Sequence, residues 1–228
     1  MRPNERIICA LDMPEPAEAR HMVEELDSQI RFFKVGMLLY LAGGNQIVKW
    51  ILSRGNQVFL DLKFYDVPST VARAVRQVAS MGVSFLTVHG NKDILKQAAE
   101  AAEGSKLKLL AVTVLTSLDQ ADLNDMGYPC ALEELVLYRA HQASAFGCGG
   151  VIASPQEAFR LKEKFGDRLL IVTPGIRPMG WQAGGHKRSS TPKQAVQAGA
   201  DYLVIGQPIV QAPDPKAAVL EIIQEMES

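Results

Sequence analysis

Apolar and polar positions along this chain follow two different periods, and the two alternate from end to end. Short apolar or β-branched runs occupy 7–12, 32–36, 57–63, 84–89, 107–115, 149–154, 169–173 and 201–206. Each ends in a polar or glycine-containing turn. Longer segments follow, with apolar residues recurring every three or four positions, near 15–28, 37–54, 68–81, 92–103, 132–146, 155–165, 191–199 and 214–226. The first kind reads as buried strand and the second as amphipathic helix. Ser154-Pro155, Thr191-Pro192 and Asp214-Pro215 each place a capping oxygen before a proline at the first helical position. Gly55, Gly82, Gly104, Gly166 and Gly199 stand where helices should stop.

Strands that alternate with helices pair in parallel through right-handed crossovers. Eight such units predict an α/β fold closed as a (β/α)8 barrel, the TIM barrel. The rival, an open doubly wound sheet, would carry a glycine-rich turn after its first strand. Here that turn reads Asp12-Met13-Pro14-Glu15. Neither a Ser/Gly-rich linker nor a charge run interrupts the series, so residues 1–228 are expected to form a single domain.

Active sites of such barrels sit at the C-terminal ends of the strands. That rule selects Asp12 after the first run, Lys34 in the second, Asp61 and Lys63 in the third, and His89 in the fourth. It also selects Thr116-Ser117 after the fifth run, Pro174-Gly175 after the seventh and Gly206-Gln207 after the eighth. A lysine inside a barrel is costly unless a carboxylate accompanies it. Period two sets Asp61 and Lys63 on one face of one strand. With Lys34 from the next strand and Asp66 from the following loop, four charges of alternating sign are expected at one mouth. His89 reads as a hydrogen-bonded residue of the core or of the layer behind the site, and His21 and His141 as structural or exposed.

Composition narrows the function classes. At 47% hydrophobic and 21% charged, the 228 residues can bury a large core. The 24 basic and 25 acidic residues leave a net charge of -1, which disfavours nucleic acid and acidic membranes as partners. Cys9, Cys130 and Cys148 form no CxxC pair, so neither a disulfide framework nor a zinc site is expected. The polar start and the lack of any long apolar stretch predict a soluble, cytoplasmic protein.

The segment DLKFYDVPST, with Asp61, Lys63 and Asp66 spaced as DxKxxD, resembles the signature of the orotidine 5'-monophosphate decarboxylase family. The resemblance continues through ALD at 10–12, FFKVG at 32–36, AVTVLTS at 111–117, TPGIRP at 173–178 and DYLVIGQP at 201–208. It implies decarboxylation of orotidine 5'-phosphate to uridine 5'-phosphate, the last step of de novo pyrimidine synthesis, with no cofactor and no metal. Fixed charges would then stabilise the carbanion left at carbon 6 of the ring.

The resemblance assigns roles. Lys63 protonates carbon 6, Asp61 lies near the departing carboxylate, and Lys34 bridges the carboxylates and the ribose hydroxyls. Asp12 accepts from a ribose hydroxyl, and Thr116 and Ser117 read the pyrimidine edge. Asp66 and Thr70 reach into a neighbouring subunit's site, which implies a homodimer with composite sites. Pro174 and Arg177 open a long polar loop through Ser190, whose Gly180, Gly184 and Gly185 suit a lid closing on the phosphate. Gly206, Gln207 and His186 fall at the phosphate end. Two of these depart from the family's pattern: Gln207 stands where arginine is usual, and His186 falls near a usual glutamine. Two other readings stay open, a metal-dependent phosphosugar decarboxylase or aldolase on the same barrel, and a non-catalytic nucleotide-binding barrel.

Overall fold

The computed structural model describes residues 1–181 and 188–228. After a 3-10 turn at Pro3–Arg6 come β1 (Ile7–Ala10), α1 (Pro16–Leu26), β2 (Phe32–Gly36), α2 (Met37–Ser53), β3 (Gln57–Phe64) and α3 (Pro68–Ser80). Next are β4 (Phe85–Val88), α4 (Lys92–Ala102), β5 (Lys108–Val112), α5 (Gln120–Asp125), α6 (Leu132–Ala145) and β6 (Gly150–Ile152). The chain ends with α7 (Pro155–Phe165), β7 (Leu170–Thr173), α8 (Pro192–Gln197), β8 (Tyr202–Ile205), α9 (Gln207–Val210) and α10 (Pro215–Glu227). The strands close into a barrel in sequence order, and β8 returns to pair in parallel with β1. The expected (β/α)8 barrel is the fold.

Period two sorts each strand into two layers. Outward residues such as Ile7, Cys9, Phe33, Val35, Leu60 and Leu86 pack under the helices. Inward residues form a second core from Ile8, Ala10, Phe32, Phe59, Phe85, Leu110, Val112, Ile152, Val172 and Val204. Four aromatic rings fill its floor around Phe85, whose centroid lies 5.0 Å from Phe32, 6.0 Å from Phe59 and 5.2 Å from Tyr202. Edge and tilted contacts of this kind suit the ring quadrupole. These rings plug the lower part of the barrel.

The structure adds two short helices that periodicity did not predict. At six and four residues, α5 and α9 are too brief to show a helical repeat. The apolar run at 107–115 is a strand only over Lys108–Val112. Beyond it Thr113 makes the last bonds to β6, its N–H and hydroxyl both donating to the Ile152 carbonyl at 3.3 and 2.7 Å. The expected helix over 37–54 is broken at Gly44, whose φ of 51° and ψ of -148° kink α2. Helices do begin at Pro155, Pro192 and Pro215.

Candidate active site

The inward series that builds the barrel floor changes character toward the mouth. On β1 and its continuation it runs Ile8, Ala10, Asp12; on β2, Phe32, Lys34; on β3, Phe59, Asp61, Lys63; on β4, Phe85, Thr87. Apolar residues fill the lower layers, and the top layer is charged. A cavity of about 460 Å³ opens there. Of the residues expected at the site, Lys34, Asp61, Lys63, Asp12, Thr116, Ser117, Pro174, Arg177, Gly206 and Gln207 line it.

The charges form one connected chain. Lys34 Nζ donates to Asp12 Oδ1 at 2.7 Å and lies 3.7 Å from Asp61 Oδ2. Lys63 Nζ donates to the other Asp61 oxygen at 2.9 Å. Lys34 is 8% exposed, so the flanking carboxylates offset its burial. Gly36 makes room for them, because a Cβ there would come within 3.1 Å of both Lys34 Nζ and Asp12 Oδ1. Burial pushes the Asp61 carboxyl up, but the charges of Lys34 and Lys63 and hydrogen bonds from Lys63 and Thr87 outweigh it. The net result lies below the ordinary value of 3.8.

Lys63 is the one non-glycine residue at positive φ, 47°, among those described. A side chain in this region costs about 1–2 kcal/mol. The β3–β4 register slips between Leu60 and Phe64, where the strand bulges around it. Such strain at a charged cavity marks a functional position.

Thr116 and Ser117 reach the cavity from the loop after β5, and Pro174 and Arg177 from the loop after β7. The two loops are tied together. Buried Arg188 donates to the carbonyls of Val114 and Leu115, and pairs with Glu157 at the start of α7. Both the N–H and the hydroxyl of Ser154 also donate to Glu157. Ser190 closes the base of the loop, bonding Gly175 and Arg177 through backbone groups.

Asp66 and Thr70 do not join the cluster within this chain. Asp66 is exposed, with its carboxylate accepting the Val67 N–H at 2.6 Å, and the Thr70 hydroxyl accepts from Arg73. The four-charge convergence expected at one mouth therefore comprises Asp12, Lys34, Asp61 and Lys63 instead. The local turn made by Asp66 with Val67 directs its carboxylate elsewhere. His186, Gly184 and Gly185 lie outside the described residues. His89 does not line the cavity; its ring meets Tyr65 edge-on at 5.4 Å, and burial, with Arg139 and Lys63 nearby, lowers its pKa below 6.5.

Sequence reasoning passed over Gln211, which lines the cavity one turn beyond Gln207, and the buried Thr87 beneath Lys63. Cys9 and Cys148 are buried thiols pushed up to about 12, chiefly by desolvation, and neither lines the cavity. No helix among the described residues is long and apolar enough to cross a membrane.

Comparison with known proteins agrees with this geometry. The sequence model described as "Orotidine 5'-phosphate decarboxylase / HUMPS family" matches residues 5–222. A protein named orotidine 5'-phosphate decarboxylase from Afipia carboxidovorans is 47% identical over 224 residues, which is 98% of this chain and 95% of that protein. Another of that name from Rhodopseudomonas palustris strain BisA53 is 46% identical over 97% of this chain and 94% of its own. The crystal structure of orotidine 5'-phosphate decarboxylase from Lactobacillus acidophilus superimposes with a TM-score of 0.85 at 36% identity, covering 98% of this chain and 100% of that one.

Proposed function

The chain belongs to the orotidine 5'-phosphate decarboxylase / HUMPS family, and on that premise we propose that it converts orotidine 5'-phosphate to uridine 5'-phosphate and CO2. The observation that carries this reading is the Lys34–Asp61–Lys63 array at the cavity. In the reaction the bond between carbon 6 and the carboxyl carbon breaks, CO2 leaves, and the electron pair stays on carbon 6. A fixed ammonium facing that atom stabilises the developing charge and then supplies the proton. Lys63 holds such a group at 2.9 Å from Asp61, on a strained backbone. Asp61 presents its negative charge where the substrate carboxylate departs. Lys34 keeps Asp12 and Asp61 in register, and Asp12 faces the ribose.

Thr116 and Ser117 offer hydroxyls for the pyrimidine edge. Arg177, Gly206 and Gln207 take the phosphate end, with His186 from the loop beyond. The phosphosugar reading requires carboxylates free to hold a divalent ion, whereas both cavity carboxylates, Asp12 and Asp61, are engaged by ammonium groups. The charges present do the work of an electron sink, so no cofactor enters the proposal. The protein works in the cytoplasm as a homodimer, in which Asp66 and Thr70 complete the partner's site. Both sit outside their own cavity, and exposed Tyr65 and Val67 flank Asp66.

Incubation with orotidine 5'-phosphate tests the reading by loss of orotate-ring absorbance. Stoichiometric uridine 5'-phosphate and CO2 are expected. Binding without turnover would favour a nucleotide-binding barrel, and turnover of a phosphosugar alone would favour the other branch.

A further inference from the structure

Lys63 poses a question that the reaction alone does not answer: what keeps a lysine in a left-handed conformation at the C-terminal end of a barrel strand. Its φ is 47°, and the register between β3 and β4 slips between Leu60 and Phe64, so the regular ladder does not hold it. One side chain does. The Thr87 hydroxyl, on the neighbouring strand β4, accepts the Lys63 backbone N–H at 2.9 Å. The same hydroxyl donates to Asp61 Oδ1 at 2.8 Å, and that oxygen accepts from Lys63 Nζ at 2.9 Å. A hydroxyl has one proton to give and lone pairs to receive, so Thr87 does both at once. The contacts close a ring that joins the backbone of Lys63 to its own ammonium through two other side chains.

We propose that Thr87 is the positioning residue of this site, holding Lys63 in its left-handed conformation and thereby aiming the ammonium at the reacting carbon. Thr87 is 0% exposed and does not line the cavity, so it acts through Lys63 and Asp61 rather than on the substrate. Deleting its hydroxyl strands two part-buried partners together. The Lys63 N–H loses its acceptor, and Asp61 loses a donor that helps hold it ionised. The backbone is then released toward the extended region, carrying the ammonium with it. The kinetic part of this inference rests on the decarboxylase reading; the structural part does not.

Thr87→Val and Thr87→Ser separate the hydroxyl from the shape of the side chain. In Thr87→Val, kcat is expected to fall about 10²-fold with KM nearly unchanged, while Thr87→Ser stays within about threefold of the parent, because small misplacement of a reacting group has effects of this size. A Thr87→Val protein that melts cooperatively and keeps parental kcat would overturn the proposal, as would equal losses in both variants. If Thr87→Val does not fold, Thr87→Ala set against Thr87→Ser makes the same comparison. Crystal structures of the variants give a readout free of activity: Lys63 should leave positive φ, or its Nζ should leave Asp61, in the valine form alone. An unmoved Lys63 sinks the proposal whatever the kinetics. If the parent protein itself fails to decarboxylate orotidine 5'-phosphate, the functional reading falls and the crystallographic result still decides the role of Thr87.

Discussion

At Lys63 a strained backbone and the group assigned to proton transfer coincide, so substitution there probes chemistry more than folding. Lys63→Ala should lower turnover by about 10³-fold or more, since it removes both a proton donor and a fixed charge. Asp61 keeps Lys34 as a neighbour at 3.7 Å, so the variant should retain its far-UV circular dichroism. Near-parental turnover would refute the assigned mechanism. Asp61 also links stability to pH. Its folded pKa is depressed below 3.8, so its ionised form stabilises the fold above that value, and the contribution is lost as pH falls through the folded pKa. Asp61→Asn should flatten the fall of melting temperature on acidification below pH 3.8; an unchanged acid limb would show that other carboxylates carry it. Gln207 belongs to the same scale. A guanidinium there would form charge-assisted bonds to the substrate phosphate, worth about 1.5–3 kcal/mol each against about 1 for a neutral amide. Gln207→Arg should therefore raise kcat/KM about tenfold, mostly through KM. If KM instead worsens from about pH 6 to 8 and His186→Ala removes that dependence, the histidine already supplies the charge.

Among the elements, the link from α7 to the cavity loops matters most for holding the site together. Arg188 is 6% exposed and Glu157 5%, and the pair connects the first turn of α7 to the carbonyls just before Thr116. Breaking a buried pair by removing one partner costs about 3–5 kcal/mol, because the other charge is left unpaired. Glu157→Ala should show that loss in denaturant unfolding, with Glu157→Gln intermediate; a loss below about 1 kcal/mol would mean the pair is solvated. The elements also show what a single sequence can reveal. The eight strands were legible because they are short apolar or β-branched runs ending in polar or glycine-containing turns, and the charged top layer because Lys34, Asp61 and Lys63 interrupt such runs. Proline-led helix starts were legible for similar local reasons. The short helices α5 and α9 were not, since neither completes two turns. Thr87 was hidden in FLTV, where threonine reads as an ordinary strand former. Its task depends on the slipped register between two strands and on the positive φ of a lysine, and neither leaves a local signal.

For the whole molecule, the decisive question is whether one chain makes a complete site. Asp66 lies outside its own cavity, between the exposed side chains of Tyr65 and Val67. Met37 and Leu38 are also exposed at the start of α2, directly after β2, the strand that pairs with β3. Apolar surface beside an outward carboxylate fits a two-fold interface in which each protomer lends Asp66 to the other. Lys63→Ala and Asp66→Ala chains should then each be inactive alone and active together. In the hybrid dimer, the Asp66→Ala chain contributes an intact Lys63 and receives an intact Asp66 from its partner, so one of its two sites is unaltered. The other site carries both substitutions. Random pairing of equal amounts makes about half the dimers hybrid, so about a quarter of all sites, and about a quarter of parental activity, should return. Native mass spectrometry on mass-tagged chains verifies that hybrids form. Hybrids present without recovered activity would place Asp66 in the site of its own chain, or outside the reaction altogether.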